Sequence, residues 1–255
     1  MTRARLRICC WLLLLAAPAG AQVRRAAVGY QLTGGSNGYA AHEGRFDIDG
    51  RAYDWLGFYS AGSYITDRVY KDVDSLAGGL ELNVGDEDRL RLGVQGSIGH
   101  FKALSGDLSS YGGEVGYLTQ IGGLNSLGLF YRLTNGTMPP VASIAAAQTT
   151  VGPAVAPGQT DTTLTDSLKR RSTFQVHEWT VLASLNFEED FLLDLSSTLT
   201  LVSNVGPALN ETAAFSLPIV APLYFSVSGT LEQSANLGSL QFGSLGLYFV
   251  FGGAR

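Results

Sequence analysis

The chain has 255 residues, 32 of them Gly, and only 15% carry charge. Asp and Glu outnumber Lys and Arg by 22 to 17, which argues against nucleic acid as a partner. Beyond the N-terminal segment no stretch reaches the ~18 uncharged apolar residues of a spanning helix, so any membrane crossing must use strands closed into a barrel.

Residues 1–21 read as a cleaved signal peptide. Arg3, Arg5 and Arg7 give a basic start, Ile8 to Ala17 an apolar run, and Ala19-Gly20-Ala21 a small-x-small cleavage pattern. The run is too short to stay as a bilayer helix. Cys9 and Cys10 lie inside it rather than after it, which argues against a lipid anchor. Cleavage after Ala21 removes both cysteines, three basic residues and no acidic ones, leaving 14 basic against 22 acidic, a charge of −8. A secreted chain without cysteine holds neither a disulfide framework nor a Cys metal site.

From residue 22 the dominant hydrophobic period is two. Strands are expected at 25–33, 38–48, 51–65, 74–84, 88–101, 109–121, 125–135, 173–187, 191–203, 211–219, 222–232 and 238–251. That is twelve, with ten and fourteen as the neighbouring even counts. Gly34-Gly35-Ser36-Asn37-Gly38 reads as a turn, because it lacks the strand, helix and lysine of a phosphate loop. A turn at Asp49-Gly50 would set Phe46 opposite Tyr53 and Arg45 opposite Asp54. Around Gly85 to Asp88, a hairpin pairing Leu82 with Leu90 and Leu80 with Leu92 also sets Glu81 opposite Arg91. Apolar meets apolar and acid meets base in one register. Around Gly122-Gly123 the same test pairs Thr119 with Leu127, Tyr117 with Leu129, Val115 with Tyr131 and Glu114 with Arg132. The connection 136–172, rich in Ala, Thr, Pro and Gly, is the longest and would be external. It ends in Lys169-Arg170-Arg171, a basic cluster suited to lipopolysaccharide phosphates or to plain solvation. Around Glu188-Glu189-Asp190, Phe187 faces Phe191, Leu185 faces Leu193 and Ala183 faces Leu195. Pro218 and Pro222 bracket a further turn.

Period alone does not separate a soluble sandwich from a membrane barrel, since the two differ only in which way the apolar face looks. Four features favour the barrel. The strands suit the ~9–11 tilted residues of a bilayer crossing. The polar face carries Ser, Thr, Gly and Asn rather than Lys and Glu. Aromatics such as Tyr53, Trp55, Tyr59, Trp179, Phe187 and Phe191 gather near strand ends, as interfacial girdles do. Short and long connections alternate. The expectation is an all-β chain: a single antiparallel transmembrane β-barrel over 22–255, with an even strand number that puts both termini on one side.

The last strand, Ser244-Leu245-Gly246-Leu247-Tyr248-Phe249-Val250-Phe251, resembles the C-terminal assembly signal of bacterial outer-membrane barrels, with Ser244, Gly246, Phe249 and Phe251 at the marked places. It departs from that pattern in its tail, Gly252 to Arg255, where the aromatic is usually last. The resemblance implies the outer membrane with periplasmic termini. Its implied partners are outer-membrane lipid, lipopolysaccharide and the barrel-assembly machinery. A porin-like channel for small polar solutes is the leading expectation. A closed barrel acting through its outer loops and a lipid-modifying enzyme remain open.

The candidate site residues are the charged ones expected to line the lumen: Arg45, Asp54, Glu81, Arg89, Arg91, Glu114 and Arg132. They would either pair and plug the barrel or set the charge preference of a pore. No catalytic residues are expected. His100 and His177 share the phase of the outward apolar residues, no spacing ties them or His42 to a serine, and the chain is read as no enzyme. Asp47 and Asp49 resemble a fragment of a calcium loop without the remaining ligands, so neither a metal nor a cofactor is expected.

Overall fold

A computed structural model describes residues 22–252, apart from 68–69, 86, 102–106, 123–124, 139–171, 188–190, 204–205 and 235–237. The expected signal peptide, the Lys169-Arg170-Arg171 cluster and the Glu188-Glu189-Asp190 turn therefore lie outside the described residues.

Twelve strands are described: β1 (Gln22–Gly35), β2 (Tyr39–Tyr53), β3 (Leu56–Asp67), β4 (Tyr70–Asn83), β5 (Asp88–Phe101), β6 (Asp107–Ile121), β7 (Asn125–Met138), β8 (Ser172–Phe187), β9 (Phe191–Val202), β10 (Gly206–Val220), β11 (Leu223–Ser234) and β12 (Gly238–Gly252). Each pairs antiparallel with its sequence neighbours, and β12 pairs back onto β1, closing the sheet. Closure removes both sheet edges, so the strands satisfy each other's backbone groups without water.

The cross-strand registers follow the side-chain pattern. Leu82 meets Leu90, Leu80 meets Leu92 and Glu81 meets Arg91 between β4 and β5. Tyr117 meets Leu129 and Glu114 meets Arg132 between β6 and β7. Phe187 meets Phe191 and Leu185 meets Leu193 between β8 and β9. A one-residue slip in any of these would turn every apolar side chain to the wrong face.

Three expectations are corrected. Asp49 and Gly50 lie inside β2, opposite Tyr59 and Phe58, and the turn falls at Asp54-Trp55. A side chain at position 50 would run into the Phe58 ring, so this glycine serves close packing rather than a turn. Short and long connections do not alternate: β1 and β2 are joined through Ser36–Gly38, β3 and β4 through 68–69, and β11 and β12 through 235–237. Only 139–171 is long, because strands continue into segments such as Asp107-Leu108 and Gly206 to Asn210 that read as loops. Strands of 12 to 16 residues exceed the ~9–11 that cross a bilayer, so the ladders run on past any apolar belt.

The described residues enclose no dry interior. Among the described residues no large side chain is fully buried, and the buried apolar residues are Ala27, Ala41 and Tyr59. Leu80, Leu92 and Leu129 are 50%, 45% and 58% exposed, and Leu193 is partly exposed. The greasy side of each strand looks away from the barrel axis.

Candidate functional site

Contacts between strands that are not neighbours identify the concave face. Tyr59 on β3 donates its hydroxyl to Glu114 Oε1 on β6 at 3.3 Å, and Gln95 on β5 donates to Thr134 Oγ1 on β7 at 2.7 Å. Such pairs meet only across the inside of a curved wall. Strand alternation then turns Glu81, Arg89, Arg91, Glu114 and Arg132 inward with them.

Glu114 is the hub of this cluster. Arg132 donates to its Oε2 through Nη2 at 2.7 Å and Nε at 3.2 Å, and reaches Glu178 through Nη1 at 3.5 Å. Arg91 Nε stands 3.2 Å from Glu114 Oε1 but points off line, so this is an ion pair without a hydrogen bond. The Arg91 guanidinium carbon lies 3.4 Å over the centre of the Tyr59 ring and 5.9 Å from that of Phe130, a cation held between aromatic faces. Tyr59 can lie flat on the wall because Gly79 and Gly93 beneath it have no side chains; a Cβ at either would strike the ring. A cavity of about 200 Å³ opens beside this cluster, bordered by Arg91, Phe130, Glu178 and Thr180.

Nearer the Ser36–Gly38 end, Arg45 and Glu43 form a two-contact pair at 2.6 and 2.7 Å. Asp47 stands 3.9 Å from Arg25. Tyr248 crosses the β1–β12 seam to donate to Gln31 Oε1 at 2.8 Å. A second cavity, about 430 Å³, lies along β2 to β7 between Arg45 and Arg132. The inner wall is also hydroxylated, within this cavity and beyond it. Ser63 meets Ser75 at 2.7 Å, Ser97 meets Ser110 at 2.7 Å, Thr180 meets Thr198 at 2.9 Å and Thr212 meets Thr230 at 3.0 Å.

Two expected partnerships are redrawn. Glu81 stands opposite Arg91 in register, yet its nearest cation is Arg89 at 4.0 Å. Arg91 lies flat on Tyr59 and is drawn to Glu114 instead. Asp54 is not an interior residue: it sits in the β2–β3 turn, fully exposed, with Arg51 at 3.2 Å, because the turn falls later than Asp49-Gly50. Arg45 is therefore paired with Glu43 rather than Asp54. Glu43, Phe130 and Glu178 were not singled out from the sequence, and Tyr59, read there as an interfacial girdle aromatic, instead faces the interior, buried beneath Arg91. The i, i+2 spacing of Glu43 and Arg45, which puts both on one strand face, was a usable signal.

The histidines have non-serine partners. Tyr30 meets His42 Nδ1 at 2.6 Å, His100 Nδ1 meets Asp107 at 2.9 Å, and His177 meets Tyr131 at 2.8 Å and Gln175 at 3.2 Å. His177 also stacks on Trp179 on the outer face, with ring centres 5.9 Å apart. Among the described residues no group of three His, Cys, Asp or Glu side chains could hold a metal ion, Asp47 and Asp49 included. On the last strand, Ser244 meets Thr33 at 2.9 Å across the seam, Gly246 lies against the Tyr248 ring, and Phe249 and Phe251 stack outside with centres 6.5 Å apart.

A closed twelve-stranded antiparallel barrel, apolar outside and polar within, has the architecture of the outer-membrane β-barrels. Among solved structures the chain is similar to the NanC porin, with 13% identity and a TM-score of 0.60 over 88% of this chain and 98% of that one. It is also similar to the KdgM porin, at 10% identity and a TM-score of 0.55 over 88% and 99% of the two chains. That porin is also solved with disordered oligogalacturonate. The CymD monoaromatic hydrocarbon channel matches at 6% identity and a TM-score of 0.50 over 92% and 90%. No protein-family model matches the sequence, and neither does any curated protein.

Proposed function

We propose that this chain is a porin-like channel of the outer membrane that passes small polar solutes. The observation that carries the reading is the inverted barrel itself: leucines and aromatics outside, paired charges and hydroxyls inside, with cavities along the inner wall. Its fold neighbours include both a porin solved with an acidic oligosaccharide and a hydrocarbon channel. The charged and hydroxylated wall here supports a polar cargo. Arg45, Glu81, Arg89, Arg91, Glu114 and Arg132 line the path in this reading.

Residues 1–21 deliver the chain across the inner membrane, and cleavage after Ala21 leaves Gln22 as the first residue. The termini and the turns at Asp54-Trp55 and Ala221-Pro222 share one end, which is the periplasmic one; 139–171 is then external. Outer-membrane lipid and lipopolysaccharide surround the belt, and the barrel-assembly machinery reads Ser244, Gly246, Phe249 and Phe251. Catalysis is no part of the reading.

Refolded protein in planar bilayers tests it: stepwise conductance is expected, and a silent membrane carrying inserted barrel would refute it. The stacking of Arg91 between Tyr59 and Phe130 favours one competing reading, a closed barrel that acts through its external connection. Silence together with partner binding that is lost on deleting 140–168 would support that alternative.

A further inference from the structure

We infer that the interior selects uncharged, polyhydroxylated solutes of sugar size over both anions and cations, a refinement that rests on the channel reading above. It comes from one juxtaposition: charges that are already paired and hydroxyls that still have bonding capacity border the same cavity.

The cavity of about 430 Å³ between Arg45 and Arg132 falls within the ~300–1,000 Å³ typical of small-molecule sites. Each charge on its border has an opposite partner. Glu43 binds Arg45 at 2.6 Å, Asp47 stands 3.9 Å from Arg25, and Arg132 is shared by Glu114 at 2.7 Å and Glu178 at 3.5 Å. An entering ion gives up hydration, and only a net opposite charge or a ring of aligned dipoles restores it. Paired charges close together present a weak residual field, so neither sign of ion is compensated. Asp194, bonded by Ser184, and Glu232 stand on β9 and β11, outside this cavity.

The remainder of the lining suits a different guest. Ser63 and Ser75 bond each other at 2.7 Å, as do Ser97 and Ser110, and the four stand in one row across β3 to β6 that borders the cavity. A hydroxyl has one donor and two lone pairs, so a bonded pair keeps a donor and lone pairs free. A sugar's hydroxyls both give and accept, and they exchange water's hydrogen bonds for these at little net cost.

The test uses the full mature chain in liposomes, with osmotic swelling driven by glucose, glucuronate or glucosamine at matched concentration. Single-channel recordings on the same preparation give conductance and the preference between K⁺ and Cl⁻. Glucose is expected to enter at least roughly fivefold faster than either charged analogue, about 1 kcal/mol in barrier, with little preference between the salt ions. E43Q, which leaves Arg45 uncompensated, should raise glucuronate entry relative to glucose. Conductance with equal or faster entry of a charged sugar would overturn the inference and leave the channel standing. No conductance and no swelling, in protein shown to be inserted by its heat-modifiable gel mobility, would overturn the channel reading as well. The wild-type comparison decides the matter even if E43Q does not fold.

Discussion

Replacing Glu114 with alanine removes the carboxylate that Arg91, Arg132 and Tyr59 share, at 3.2, 2.7 and 3.3 Å. Breaking a buried ion pair by deleting one partner costs ~3–5 kcal/mol. Two features lower that figure. Arg132 keeps Glu178 at 3.5 Å, and the side chains of Arg91 and Arg132 are 25% and 39% exposed to interior water, which screens them. The expected loss for E114A is therefore about 2–3 kcal/mol. E114Q should cost about 1 kcal/mol less, since its amide oxygen still accepts from Arg132. A double-mutant cycle with Arg132→Met should return a coupling of about 1–2 kcal/mol. Urea unfolding in lipid vesicles, followed by the fluorescence of Trp55 and Trp179, reads these differences provided the slopes agree. A loss for E114A under about 0.5 kcal/mol, the range of ordinary surface changes, would refute the view that Glu114 holds the cluster together.

Glycine substitutions should divide by what lies above them. G79A, which meets the Leu92 carbonyl as well as Tyr59, and G93A, which meets the Tyr59 hydroxyl, should each cost about 1–3 kcal/mol in the same urea titration. G34A, with open space around it, should be near neutral. L129R on the outer face should lose ~2–4 kcal/mol if that residue lies near the bilayer midplane. T198R on the inner face should refold normally and change conductance, and the reverse ranking in vesicle refolding would invert the orientation of the sheet. F251A should slow insertion assisted by the assembly machinery while leaving spontaneous refolding in detergent unchanged; equal rates in both settings would remove the assembly role of the last strand.

Much of the fold was legible because hairpin registers are overdetermined. In β4–β5 and in β6–β7 a single alignment satisfied leucines on one face and an acid–base pair on the other. The Asp49-Gly50 turn failed for an identifiable reason. Asp-Gly is a strong turn signal, but Gly50 is needed inside β2 to make room for the Phe58 ring. Strand ends were cut short because Gly206 and Pro207 read as loop signals, although Gly206 to Asn210 pair with Val202 to Thr198 of β9. The interior cluster was only half visible. Glu114 and Arg132 are cross-strand neighbours, so their pairing could be read locally. Arg91 leaves its register partner Glu81 for Tyr59, which lies two strands away, and for Glu114 on β6; no local spacing carries that information. Gly79 and Gly93, paired across β4 and β5, were the trace that a large side chain would lie there.

The seam between β1 and β12 is held by a hydrogen-bonded ladder rather than by a peptide link, on equal terms with the other eleven ladders. Covalent continuity is thus dispensable at one place around the ring already. A second break within 139–171 would divide the chain into two pieces, β1–β7 and β8–β12, each with two bare edges matched only by the other. Neither piece could rest alone in hydrocarbon, and reassembly from separately made halves would have to begin at either of two equivalent joints.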